Sequence, residues 1–286
     1  MAKNLIIGAF TNYTYNQLKP WVESIDECGF EGDKVMVVGN ASQETRDELI
    51  KRNFKIVDML KVEAPIHVAR FLAIYDYLKD TWKDYDYVVT TDVKDVYFQK
   101  DPIEWIKKNL PENKTLVAGS ESISYKYEPW GNQNLMETYG PYFYLLFVGN
   151  EIYNVGTIGG TAEYVKDLVL NIFINSTNRP IPIVDQAVYN VSIQTQPYKD
   201  KVLFTKQQDG WAVQLGTTGD PSKIEAFRPF LTEPEPAFDF ESGLVKTHTG
   251  EPFCIVHQYD RVPLWKELIM KKFNQEDPNN FFVYRV

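Results

Sequence analysis

The chain has 286 residues, 44% hydrophobic and 24% charged, which is the composition of a folded protein with one large domain or two small ones. Lys and Arg total 30 against 39 Asp and Glu, a net charge of −9, so generic nucleic-acid binding, which needs a basic footprint, is excluded. Aromatic residues reach 14%, and the 18 Tyr among them combine an apolar ring with a polar tip.

In chain order the first half alternates strand and helix. Leu5–Phe10 is a short apolar run, expected as a buried strand. Gln17–Cys28 carries Leu18, Trp21, Val22 and Ile25 at helical spacing and stops at Gly29. Lys34–Val38 is a second strand, and Ser42 is placed to cap a polar helix over Glu44–Asn53. Phe54–Val57 is a third strand, Val68–Leu78 an amphipathic helix, and Tyr87–Thr90 a fourth strand. This alternation predicts a mainly parallel sheet flanked by helices, with ligands at the carboxyl ends of its strands. The second half is less regular. Ser120–Phe147 reads as a long irregular stretch rich in Tyr, Trp, Pro and Gly. Asn154–Gly160 reads as a turn into a helix over about 161–174, and Pro180-Ile181-Pro182 leads to a short helix over 184–191. Small strands are expected at 202–205, 211–215 and 253–256, a last helix over 263–273, and then a polar tail. Glu233-Pro234-Glu235-Pro236 reads as a stiff exposed connector. The division expected is one domain, 1–286, with a nucleotide half over about 1–119 and an acceptor half over about 120–286.

Two cysteines, Cys28 and Cys254, make neither a disulfide framework nor a zinc pattern. The opening apolar run is too short for a signal peptide, and no run approaches the roughly 20 residues of a membrane span. The expectation is a cytoplasmic protein, with reduced thiols and no membrane span.

The central chemical signal is Thr90-Thr91-Asp92-Val93-Lys94-Asp95-Val96-Tyr97-Phe98-Gln99-Lys100-Asp101-Pro102. Asp92 and Asp95 follow an apolar strand, and a turn there brings residues i and i+3 within about 7 Å. Two such carboxylates repel unless a cation sits between them, and hard oxygen ligands suit Mg2+ or Mn2+. The plainer alternative is a turn cap at Asp92 and a surface ion pair at Asp95. A Walker-type NTPase is excluded, because no Gly-x-x-x-x-Gly-Lys-Ser/Thr string exists. A nucleotidyltransferase would place Arg and Lys in a Gly-rich loop after the first strand, where this chain reads Gly8-Ala9-Phe10-Thr11-Asn12-Tyr13.

The strand, acidic turn and Val-Tyr-Phe-Gln-x-Asp-Pro string resemble the Asp-x-Asp-type motif of metal-dependent GT-A fold glycosyltransferases. They are most similar to the branch of giant algal viruses, algae and some bacteria, with its Asp-Val-x-Asp-Val-x-Phe-Gln-x-Asp-Pro motif. Three more strings agree in order: Asn154-Val155-Gly156-Thr157-Ile158-Gly159-Gly160, Val184-Asp185-Gln186-Ala187-Val188-Tyr189-Asn190 and Val256-His257-Gln258-Tyr259-Asp260-Arg261. The departure is the Asp-x-x-Asp spacing, which leaves open which aspartate touches the metal directly.

The resemblance implies a GT-A fold and transfer of a sugar from a nucleotide-sugar, UDP favoured over GDP, to a hydroxyl of a glycan. It implies Mn2+ or Mg2+ on Asp92, Asp95 and His257, with Asp95 the direct ligand and Asp92 also near the ribose or sugar. It puts Asn154, Gly156, Gly159 and Gln186 at the donor sugar. Asp185 is then a general base, a contact to sugar hydroxyls, or simply the N-cap of its helix. Thr11, Asn12 and Tyr13 fall in the loop that holds base and ribose. Arg70 is placed to meet the diphosphate or to make a salt bridge, and Arg261 and Lys246 are lesser candidates for the same task. Tyr125, Tyr127, Trp130 and Tyr142 are expected either to stack on the acceptor glycan or to pack this long stretch onto the sheet. The rival readings are a non-catalytic, lectin-like glycan binder and an inactive relative of the transferases.

Overall fold

The structure is a computed structural model that describes residues 3–179 and 181–275. Pro180 and the polar tail beyond residue 275 lie outside the described residues. The first half follows its apolar patterning: β1 (Lys3–Phe10), α1 (Tyr15–Glu27), β2 (Asp33–Val38), α2 (Gln43–Lys51), β3 (Phe54–Asp58), α3 (Ile66–Thr81) and β4 (Tyr85–Thr91). Leu18, Trp21, Val22 and Ile25 are all buried, and the Ser42 hydroxyl accepts from the Thr45 amide at 3.2 Å as a helix cap. After β4 come β5 (Val96–Phe98), α4 (Pro102–Asn109), β6 (Leu116–Ser124), α5 (Pro129–Phe147) and β7 (Glu151–Thr161). Then follow α6 (Ala162–Ser176), α7 (Asp185–Gln194), β8 (Val202–Thr205), β9 (Ala212–Gln214), α8 (Leu215–Thr218) and α9 (Ile224–Phe227). Last are β10 (Ala237–Asp239), β11 (Leu244–Lys246), β12 (Ile255–His257) and α10 (Pro263–Lys272).

Seven strands form one sheet in the order β3-β2-β1-β4-β7-β6-β8. It is parallel except at β7, which runs antiparallel to both β4 and β6. Alternate side chains of β1 supply two cores. Leu5 and Ile7 pack under α3, α6 and α7, while Ile6 and Phe10 pack under α1 and α4. A second sheet, β5-β12-β9, begins just after the carboxyl end of β4 and carries Gln214 and His257. β10 and β11 form a small separate ribbon.

Three expectations are corrected. Asn154–Gly160 is part of a strand in the sheet centre, not a turn. Its glycines answer a packing need: a Cβ on Gly159 would lie 2.8 Å from the Trp211 ring. Residues 120–147 are ordered, as strand and then helix. α5 breaks at Gly140, whose φ of 79° a side chain would resist, and Pro141 starts its second segment. The acidic connector is stapled down at one end, since the Glu233 carboxylate accepts from the Gln207 and Gln208 amides. Cys28 and Cys254 are free thiols. No helix among the described residues is long and apolar enough to cross a membrane.

Candidate active site

The turn after β4 is pinned from both sides. The Asp92 amide donates to the Gly156 carbonyl at 3.0 Å, and the Gln258 amide donates to the Asp95 carbonyl at 2.7 Å. Val93 between them is buried, so both aspartate side chains face away from the core. β5 then pairs antiparallel with β12, and that register brings His257 opposite Val96. His257 Nε2 lies 3.4 Å from Asp92 Oδ2 and 3.7 Å from Asp95 Oδ1. The three ligand atoms fall within 4.8 Å of one another. Ligands about 2.1 Å from a divalent ion sit about 3 Å apart at right angles and about 4.2 Å apart in line, and the two nitrogen-to-oxygen separations, 3.4 and 3.7 Å, fall between these values.

The chemistry of the set agrees. His257 is 2% exposed, and its burial lowers its pKa against the pull of Asp95, so the ring is neutral. Its Nε2 is buried without a hydrogen-bond partner, and Nδ1 meets Gln214 Oε1 at 2.7 Å. A bare nitrogen and two carboxylates aimed at one point repel each other, and a cation there relieves the strain. Gly156 makes the approach possible. A Cβ there would lie 2.7 Å from His257 Cε1 and 2.8 Å from Asp92 Oδ2.

Arg70 on α3 is buried beside this cluster. One guanidinium nitrogen pairs with Asp92, and Nη2 donates to Asp185 Oδ2 at 3.2 Å. Burial lowers the Arg70 pKa, and the Asp185 charge opposes that shift. Asp185 therefore spends its carboxylate on Arg70 and makes no side-chain cap to α7, so the plain helix-cap reading is corrected.

Glu121, in the middle of β6, was not anticipated. It is 5% exposed and lines the cleft. Its Oε1 accepts from Asn154 Nδ2 at 2.8 Å and Gln186 Nε2 at 2.7 Å. The amide oxygens of those two side chains accept from the Gly156 and Val155 amides, so both are locked in orientation. Burial, then the charge of Glu128, raises the Glu121 pKa. A carboxyl whose folded pKa is raised gives its full stability below its unfolded pKa of about 4.3 and loses it as pH rises through the folded value. Glu121→Gln should therefore melt above wild type in mildly alkaline buffer, with the gap closing toward about pH 4. Parallel thermal melts across pH check this, and a constant gap would contradict it.

These residues line one cleft of about 610 Å3, within the range of small-molecule sites. Thr11, Tyr13, Arg70, Asn154, Asp185 and Gln186 all face it, and so does Arg261. Asn12 does not: its φ is 62°, and its side chain accepts from Asn40 Nδ2 at 2.7 Å. Gly159 packs in the core against Trp211, and Lys246 pairs with Asp239, so neither reaches the cleft. Of the four expected stacking rings, Trp130 lines the cleft and is 48% exposed. Tyr125 is fully buried and cannot stack on a glycan, which corrects that expectation. Tyr127 already stacks on Phe230 with centroids 4.1 Å apart, and Tyr142 is exposed on the second segment of α5, outside the cleft lining. Gln214 had one weak signal, a polar residue inside the apolar run 211–215, and Glu121, flanked by Ser120 and Ser122, had none.

No protein-family model and no curated protein sequence matches the chain. Solved structures do. Over 99% of its length the chain superposes on 51% of the bifunctional glycosyltransferase WbbM in its apo form, with a TM-score of 0.61 and 13% identity. Over 93% of its length it superposes on 95% of the galactosyltransferase LgtC, solved with donor and acceptor sugar analogues, with a TM-score of 0.55 and 14% identity. The chain spans about half the length of WbbM. At such identities the likeness establishes the fold, the mixed α/β GT-A architecture of glycosyltransferases.

Proposed function

We propose that the protein is a metal-dependent glycosyltransferase that moves one sugar from a nucleotide-sugar, UDP-linked in preference to GDP-linked, to a hydroxyl of a glycan. The observation that carries this reading is the convergence of Asp92 Oδ2, Asp95 Oδ1 and the unpartnered His257 Nε2 at the carboxyl end of β4. That is where open α/β sheets place their ligands. WbbM and LgtC, two solved structures of similar fold, are glycosyltransferases, and LgtC was solved with sugar analogues.

Asp92, Asp95 and His257 would hold Mn2+ or Mg2+, which supplies Lewis-acid stabilisation of the charge on the departing diphosphate. The chain's own groups do the rest. Thr11 and Tyr13, at the end of β1, receive the base and ribose. Arg70 keeps Asp92 and Asp185 in fixed orientation. Asn154 and Gln186 line the donor-sugar pocket, with Glu121 locking the two amides, and Gly156 leaves room for Asp92 and His257 to approach. Asp185 faces the sugar, as a hydrogen-bond acceptor to its hydroxyls or as the base for the acceptor. Trp130 offers an aromatic face to the acceptor glycan. A non-catalytic glycan binder would show no metal-dependent affinity for a nucleotide, which separates the two readings.

Calorimetry with UDP and GDP, with and without Mn2+, tests the reading. UDP affinity that rises on adding Mn2+ is expected, and absence of nucleotide binding under every condition overturns it. Trp130→Ala should weaken acceptor use more than donor hydrolysis, measured as KM for acceptor against the hydrolysis rate. Equal loss of both contradicts the acceptor assignment.

A further inference from the structure

We propose that Gln214 is a positioning residue for the cation site: its side-chain carbonyl holds the Nδ1–H of His257, which leaves Nε2 as a bare lone pair aimed between Asp92 and Asp95. The inference rests on the reading of that cluster as a metal site, and it names a residue outside the ligand set.

The geometry is specific. Gln214 and His257 are register partners on the parallel strands β9 and β12. Gln214 is fully buried, and its Oε1 meets His257 Nδ1 at 2.7 Å. The other end of the amide is tethered as well, its Nε2 lying 3.0 Å from Thr157 Oγ1. Gly119 leaves room for this arrangement, since a Cβ there would crowd both Gln214 Nε2 and Thr157 Oγ1 at 3.2 Å. The main chain is held as well, with the Gln214 carbonyl accepting from the Thr218 hydroxyl at 2.8 Å. On the other side of the ring, 3.4 and 3.7 Å to the two carboxylates are too long for Nε2 to be donating a hydrogen bond. The proton therefore belongs on Nδ1, and the tautomer is the one a metal ligand needs.

The choice of an amide has a physical reason. Asp92, Asp95 and the nearby Glu121 already place acidic groups around His257. A carboxylate in place of Gln214 would orient the ring equally well, but it would add another buried charge whenever the cation is absent. The amide orients without that cost.

Two measurements test this. In the metal-free protein, nitrogen-15 NMR of the three histidines should show His257 as the Nδ1–H tautomer; a dominant Nε2–H tautomer overturns the proposal. In Mn2+ titrations followed by electron paramagnetic resonance, Gln214→Leu should weaken binding about 10–100-fold. Gln214→Glu, which keeps an acceptor at the same reach, should bind at least as tightly as wild type. A Gln214→Leu protein that matches wild type, while His257→Ala loses Mn2+, leaves the metal site standing and removes the role of Gln214. So does a Gln214→Glu protein that loses Mn2+ while remaining folded. If neither His257→Ala nor Asp95→Ala changes Mn2+ binding, the metal reading itself fails, and Gln214 positions no ligand. The NMR readout does not depend on activity or on the folding of any variant.

Discussion

Arg70→Leu should lower the unfolding free energy by about 3–5 kcal/mol, the cost of removing one partner from a buried ionic group. The guanidinium is the shared counter-charge of Asp92 and Asp185, with side chains 29% and 6% exposed. Its loss leaves two carboxylates facing each other across a site that also contains Asp95. For a chain of this size the expected drop in Tm is on the order of 10 °C. Arg70→Lys should fall between, because a point charge cannot bridge two carboxylates with a planar fork. Mn2+ should raise the Tm of Arg70→Leu by more than it raises that of wild type, since the cation takes over part of the neutralisation. Thermal melts with and without Mn2+ check both claims. A variant that melts with wild type would show that the pair contributes nothing.

Asp95→Ala should have the opposite balance of effects. Transfer and Mn2+-dependent nucleotide affinity should fall, by about 10²–10³-fold in rate if the ion stabilises the leaving diphosphate as an oxyanion-hole donor does. Stability without metal should not fall, because the substitution removes one of the three mutually repelling groups, Asp92, Asp95 and the bare His257 Nε2. The turn itself stays anchored through main-chain bonds, the Asp95 carbonyl accepting from Gln258 and the Asp92 amide donating to Gly156. A gain or no change in metal-free Tm together with lost activity is the signature of a site built for a cation. Loss of Tm with activity retained would return Asp95 to the plainer role of a surface ion pair.

Much of the first half was legible because its signals are local. Leu5–Phe10, Lys34–Val38 and Tyr87–Thr90 are short apolar runs, and the helix at Leu18, Trp21, Val22 and Ile25 has a clear period. Asp92 and Asp95 stood out because they follow such a run. The second half was harder for identifiable reasons. Gly131, Gly140 and Pro141 interrupt the helical pattern of α5, so an ordered element read as a loop. Asn154 with Gly156, Gly159 and Gly160 looked like a turn, although these glycines serve a central strand. They are small because His257 and Asp92 press on Gly156, Trp211 on Gly159 and the Thr115–Leu116 main chain on Gly160, and those neighbours come from other parts of the chain. Glu121 left no pattern at all, since a single acid in a buried strand is satisfied only by Asn154 and Gln186.

The sequence by itself determined the order of strands and helices in the first half and the position of two acids at the end of a central strand. These follow from residue periodicity and turn chemistry, which act over a few neighbouring residues. His257 was expected beside the acidic pair from the resemblance, but only the tertiary structure decided the distances at which the three meet, that Arg70 links Asp92 to Asp185, and that Gln214 faces His257 across paired strands. It also separated Trp130, open to the cleft, from Tyr125, sealed in the core, two rings the composition could not tell apart. Contacts between distant segments depend on strand register and close packing, so side chains from β4, α3, β9, β12 and α7 meet only once the sheets have formed.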